Sequence, residues 1–245
     1  MDSSFLQQHI ITSGSAYTDI DVLACACAYN QLLSLQDIHS QAILRAPFNE
    51  TVPQSIRQWD LKYSNSYSFH DDDCFIIVDV SNPEYFETFV NNDRIVEVFD
   101  HHHGFETYWK ERLDNKSHID FIGACATLIW EKFIDYGLEK YISTVNANLL
   151  YTAIFANTLC LKSNVTTDRD TKAIEQLTVY CDLPSDWKER YYSEIESSVI
   201  ANLDNAIARD TKTLTIGSET FKIAQIELWD ATAILTDNLI PMAKK

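Results

Sequence analysis

The chain is poor in loop-forming residues, with 5 glycines and 5 prolines in 245 positions. That scarcity excludes a collagen-like or low-complexity chain and argues against long linkers. Positive charge is also short. Nineteen Lys and Arg face 36 Asp and Glu, a formal net charge of −17. With no basic run to offset it, this field repels a phosphate backbone, so nucleic acid is a poor partner. A small anion chelated by a cation remains admissible, because the cation neutralises it locally. No stretch approaches the roughly 20 apolar residues of a membrane span. Met1–Phe5 lacks both the basic and the apolar part of a secretory signal. No Cys-x-x-Cys pair occurs among cysteines 25, 27, 74, 125, 160 and 181, which lie in apolar stretches. They read as buried free thiols of a reducing compartment, and a cytoplasmic location is expected.

What is present is a globular composition, 46% hydrophobic and 12% aromatic, with enough length for a full core. The first half alternates short apolar runs with amphipathic segments. Strands are expected over 8–12, 41–46, 74–79 and 95–99. A helix is expected over 19–35, where Ile20, Leu23, Ala24, Cys27 and Leu32 recur near helical spacing. A shorter helix, 84–92, follows Asn82-Pro83 with Ser81 or Asn82 as its cap. This is the pattern of an α/β fold, a parallel sheet with helices on both faces. Helices are expected over 123–136, 143–158, 168–180 and 186–208. Beyond them, Thr211–Ile216 and Thr220–Leu228 read as a β-hairpin across Gly217-Ser218, with Trp229–Leu239 helical. The expected organisation is an α/β domain over 1–185, a connecting helix over 186–208 and a short C-terminal hairpin annex over 209–245. That annex is too small to bury much surface alone. It packs on the first domain, joins another chain as in a homodimer, or opens a longer domain.

The chemistry concentrates at strand ends. Asp100-His101-His102 follows the apolar run 94–99, at the rim where open α/β sheets place their sites. Asp79 ends the run 74–78, and Asp19 and Asp21 follow the first strand. Each acid alone also fits a capping or turn role. Together they imply one carboxylate-rich site, and oxygen-rich sites with one or two imidazoles favour manganese or magnesium. His101 suits a ligand, Asp100 suits the orientation of a neighbouring imidazole, and His102 suits an anion contact or proton donor. His103 is expected to be exposed, and Asp71-Asp72-Asp73 to be a solvated loop.

These segments resemble, in order, the four motifs of the DHH phosphoesterase superfamily: residues 14–29 with Asp19-x-Asp21, Ile77-Val78-Asp79, Asp100-His101-His102 and residues 153–167. Residues 156–170 are similar to the fourth motif of the family II, manganese-dependent inorganic pyrophosphatases and exopolyphosphatases. The stretch from about 208 looks like the opening hairpin of their C-terminal DHHA2 domain. The resemblance covers roughly residues 8–208. It implies a two-metal phosphohydrolase acting on a small phosphoanhydride or phosphoester. Its cofactor would be Mn2+, with Mg2+ or Co2+ as substitutes. Asp19, Asp21, Asp79, His101 and Asn157 would be the metal ligands. Asp100 and His102 would be catalytic, with His102 and Lys162 on the substrate. In the pattern, a His stands where this chain has Ser15 and an Asp where it has Asn157, and a late Arg/Lys cluster is thinned to Lys244-Lys245. Neutral oxygens are the poorer ligands, so the ion at the Ser15 side should bind most weakly. Two other readings stand beside the hydrolase: a degenerate relative that binds a ligand or partner, and a nucleotide phosphodiesterase.

Overall fold

In the computed structural model the apolar runs form β1 (His9–Thr12), β2 (Ser40–Ala42), β3 (Cys74–Val78) and β4 (Ile95–Asp100). A fifth strand, β5 (Ser117–Ile119), completes a wholly parallel sheet in the order β2-β1-β3-β4-β5. Residues 8–209, 211–224, 228, 230 and 232 are described; apart from Asp230 and Thr232, the expected helix over Trp229–Leu239 lies outside the described residues, as does Lys244-Lys245. The strand order changes direction between β1 and β3, and open α/β sheets place ligands at the carboxyl ends beside such a switch.

Because strand side chains alternate, the sheet has two different faces. Ile10, Phe75, Ile77 and Val98 cluster with Trp109, whose Nε1 donates to Ser81 O at 2.6 Å. Trp109 belongs to α3 (Glu106–Leu113), and it is the only residue of that helix to be buried. On the opposite face lie Glu97 and Phe99, met by Tyr29 of α1 (Ile20–Ser34). This second layer also contains α4 (Cys125–Asp135), α5 (Thr144–Asn157) and α6 (Asp168–Leu177). In α1, 12 of 15 residues are buried, as befits a helix packed against both the sheet and its neighbours.

A buried charge sits within this layer. Glu97 accepts from Tyr29 Oη (2.6 Å), His118 Nε2 (3.0 Å) and Lys116 Nζ (3.2 Å). Burial opposes its ionisation, but these bonds win and hold its carboxyl below the usual range. They also pin the short edge strand β5 to β4.

Three expected elements differ. Residues 84–92 do not form a helix: Asn82 caps only a single 3-10 turn, Pro83–Tyr85. Phe86 then bridges to Gly14 and is buried beside Trp109, while Phe89 stacks on Phe69 at 4.3 Å. Burial of two aromatic rings outweighs the local helical preference. The long helix over 186–208 is broken at Asn202 into α7 (Trp187–Ala201) and α8 (Leu203–Arg209). Asp73 of the acidic run is buried, accepting from His70 N at 2.7 Å.

Residues 48–57 form a separate compact unit with 183 onward. Within it, Tyr191 Oη donates to Thr51 O (2.8 Å) and Glu194 accepts from Ser55 N (3.0 Å). Its hairpin pairs β6 (Thr211–Ile216) with β7 (Glu219–Ala224). All six cysteines are free, and among the described residues no helix is long and apolar enough to cross a membrane.

Candidate functional site

The strand-end acids and imidazoles meet. Asp79 leaves β3 with φ +59°, a left-handed conformation that Asp tolerates better than most residues. Its backbone N–H donates to Phe99 O (2.8 Å), which ties it to β4. One turn along β4's exit, His101 Nε2 lies 3.3 Å from Asp79 Oδ1 and 3.9 Å from Asp21 Oδ2. One ligand atom each from Asp79, His101 and His102 falls within a 4.8 Å cluster. His101 Nδ1 is bonded to Ile122 O at 3.1 Å, so Nε2 is the nitrogen turned to the acids. Asp100 is fully buried and bonds His102 Nδ1 at 2.8 Å, while its Oδ1 also takes the backbone N–H groups of His101 and His102. The bond fixes Nδ1 of His102 on the Asp100 carboxylate. His103 is exposed and stacks on Phe121 at 3.5 Å.

Asp19 caps α1, accepting from Val22 N at 2.9 Å. Asp21, one residue into that helix, is buried and heavily engaged. Its Oδ1 accepts from Ala126 N (2.8 Å) and Cys25 Sγ (3.4 Å). Its Oδ2 accepts from Cys125 N (2.9 Å) and Asn157 Nδ2 (3.3 Å). Cys125 and Ala126 open α4, whose own cap position is Ala124 and offers no side-chain acceptor. Asp21 supplies that cap from a distant part of the chain, opposite the positive end of the helix dipole.

Asn157 ends α5 and gives its amide to Asp21 and to Ala153 O (3.0 Å). Ser15 is exposed and its hydroxyl donates to Tyr85 O (3.3 Å). Lys162 is exposed in the loop after α5. The preceding Leu159, Cys160 and Leu161 all have left-handed backbones, φ +49°, +56° and +64°. Each costs roughly 1–2 kcal/mol in a residue with a Cβ. Buried Thr158 sustains the turn, accepting from Leu161 N through Oγ1 (3.1 Å) and from Lys162 N through its carbonyl (2.9 Å). Nothing in the composition of 159–161 signals this turn.

The charges explain one another. Burial, then repulsion from Asp21 and Asp19, pushes the Asp79 carboxyl up to about 8. Burial and Asp21 push Asp19 up to about 6, and burial raises Asp21 as well. Burial disfavours charge on His101, yet the Asp79 contact and the charge of Asp21 prevail and lift it to about 10. Three acids crowd a space that, among the described residues, His101 and the half-exposed His102 balance. Asp79 Oδ1 is buried and accepts no hydrogen bond of good geometry. A buried, unsatisfied carboxylate oxygen beside an imidazole nitrogen is the donor set that a divalent ion satisfies, so Asp79 and His101 fit such an ion. Asp21 fits less freely, since about four lone-pair directions of a carboxylate are already taken.

No protein-family model matches the chain. By sequence it is 24% identical over 234 residues to a "Probable manganese-dependent inorganic pyrophosphatase" of Lactobacillus delbrueckii subsp. bulgaricus, covering 91% of this chain and 71% of that one. A protein of the same description from Bacillus licheniformis is 22% identical over 232 residues, covering 93% and 73%. A crystal structure of a candidate family II inorganic pyrophosphatase from Methanococcus jannaschii superposes with TM-score 0.67 at 18% identity, over 93% of this chain and 74% of that one. An exopolyphosphatase-related protein from Bacteroides fragilis gives 0.62 at 15% identity, over 85% and 62%. The two solved structures share the fold, and the homologues by sequence are manganese-dependent inorganic pyrophosphatases.

Proposed function

We propose that this chain is a metal-dependent phosphohydrolase of the DHH type that cleaves a small phosphoanhydride, pyrophosphate or a short polyphosphate. The observation that carries the reading is the approach of His101 Nε2 to the unsatisfied Asp79 Oδ1 at 3.3 Å, with Asp21 and Asp19 beside them. Asp79 and His101 would hold the ion, manganese first and magnesium or cobalt as substitutes. Asp19 and Asp21 would complete the acidic side. A divalent ion bound there supplies Lewis-acid chemistry, activating water and neutralising charge on the phosphoryl oxygens.

The chain's own groups do the rest. Asp100 holds Nδ1 of His102, which leaves Nε2 to meet the substrate and hand a proton to the departing oxygen. The Asp100 bond raises the proton affinity of His102 despite its partial burial, which favours the protonated ring that an acid role requires. Lys162 would counter phosphate charge from the strained turn after α5. The net charge of −17 favours a small chelated anion over a nucleic acid.

Release of phosphate from pyrophosphate and tripolyphosphate, and of nucleoside monophosphate from a nucleotide phosphodiester, each in millimolar manganese, tests the reading. Hydrolysis of the two anhydrides and not of the diester is expected; no release from any of them removes the proposal. The engagement of all Asp21 lone pairs, including by Asn157, favours a second reading, a non-catalytic ligand binder. That reading gains if calorimetry finds no manganese site.

Protonation of the site gives a further expectation. An acid whose folded pKa is raised binds more protons folded than unfolded, so its ionisation costs stability as pH rises. For Asp19 and Asp79 that cost grows through about 6 and about 8. The stability lent by charged His101 is fully present below its ordinary value of 6.5 and is lost progressively as pH rises towards about 10. Metal-free protein should therefore melt at a lower temperature at pH 8.5 than at pH 5.5. Manganese competes with these protons and should raise the melting temperature more at pH 8.5. An equal manganese effect at both values would count against ion binding at these acids.

A further inference from the structure

A further buried carboxylate lies outside the ligand set. Asp170 is fully buried in the first turn of α6. Its Oδ2 accepts from Gly123 N (2.9 Å), Thr167 N (2.8 Å) and Thr167 Oγ1 (2.7 Å), and its Oδ1 accepts from Thr127 Oγ1 (2.7 Å). Part of this is a capping box of α6, the ordinary use of a Thr-x-x-Asp sequence. The bonds to Gly123 and Thr127 are not. They reach across to the loop before α4 and to its first turn.

Gly123 explains the closeness of that approach. Its φ is not left-handed, so glycine is not there for backbone freedom. A Cβ at this position would lie 2.4 Å from Thr158 Cγ2 and 2.9 Å from Asp170 Oδ2. The position needs an absent side chain because α5's end, α6 and the loop converge on it. The neighbours of Gly123 on either side are the backbone groups that hold the site. Ile122 O takes the Nδ1 bond of His101 at 3.1 Å. Cys125 N and Ala126 N hold the two oxygens of Asp21 at 2.9 and 2.8 Å.

We propose that Asp170 and Gly123 form a clasp that sets the 122–126 backbone, and through it aims His101 at the ion and holds the Asp21 carboxylate beside it. Both oxygens of Asp170 are turned to protein donors, so it acts as a positioning residue. The inference rests on the metal-site reading above for its consequence, but its geometry can be read without metal. Outer contacts of this sort typically change metal affinity by about 10–100-fold.

The test is Gly123→Ala, examined first in the metal-free protein by NMR. The His101 Nδ1 proton and the Cys125 and Ala126 amide protons should shift and exchange faster with solvent. Manganese affinity of the folded protein should fall about tenfold or more. Thr158→Ser, added to Gly123→Ala, removes the Cγ2 that the new methyl meets first and leaves its approach to Asp170 Oδ2, so these signals should return part of the way toward wild type. Should Gly123→Ala fail to fold, Thr127→Val withdraws one Asp170 partner with little change of shape and should move the same resonances. Folded variants with unchanged resonances overturn the clasp. A wild type that binds no manganese, while those resonances do move, upholds the clasp and defeats the metal-site reading instead.

Discussion

Asp79→Asn is expected to reduce manganese-dependent phosphate release by on the order of a hundredfold or more, while raising the melting temperature of the metal-free protein at pH 8. Loss of an outer contact already costs about 10–100-fold at metal sites, and a direct ligand should cost at least that. The gain in stability follows from the same charges. Burial and two neighbouring acids make ionised Asp79 unfavourable, as its displacement to about 8 records, so a neutral side chain removes repulsion without a cation. Asn is the informative replacement because residue 79 has φ +59°. Asn tolerates that conformation, whereas Ala would add roughly 1–2 kcal/mol of backbone strain and obscure the result. Thermal melts with and without manganese, alongside phosphate release, check both halves. A variant that is destabilised without metal and still active would contradict the assignment of Asp79.

The second large effect should come from adding a charge. Asn157 donates to Asp21 Oδ2 at 3.3 Å and so occupies, with a neutral amide, a lone pair that a cation could use. Asn157→Asp withdraws that donor and places another carboxylate beside Asp21. The metal-free protein should melt lower, because the acids already crowded there now repel one more. Manganese should bind about tenfold tighter or more, or in one additional equivalent, and phosphate release should rise, since carboxylates outrank amides as ligands for hard ions. Combining it with Ser15→His should increase the effect. Calorimetry decides the matter. Unchanged affinity and stoichiometry would show that position 157 does not face an ion, and that its amide serves only to hold Asp21.

The strands and the long helices were legible because their periodicity is dictated by burial: β3 and β4 are apolar runs, and α1 is buried almost all round. The acids and imidazoles were legible because they follow those runs directly, and charged groups at the end of a buried strand have no packing reason. What the sequence concealed depends on tertiary context. Residues 84–92 carry a cap and helical spacing, but Phe86 and Phe89 find ring partners that a helix would deny them. β5 is only three residues long and polar, and exists because Lys116 and His118 bond Glu97 on the neighbouring strand. α3 shows no apolar stripe, since Trp109 alone anchors it. Asp170 announces only its capping box; its bonds to Gly123 and Thr127 span more than 40 positions. Asp21 looks like a first-turn acid of α1, and its use as the cap of α4 is invisible without the fold.

Manganese located by anomalous scattering in crystals grown with the ion at pH 8 tests the central claim most directly. The account predicts a peak about 2.0–2.3 Å from a carboxylate oxygen of Asp79 and from His101 Nε2, with Asp19 or Asp21 as a further ligand. A peak elsewhere, or none while Asp79 and His101 keep their 3.3 Å contact, would contradict it.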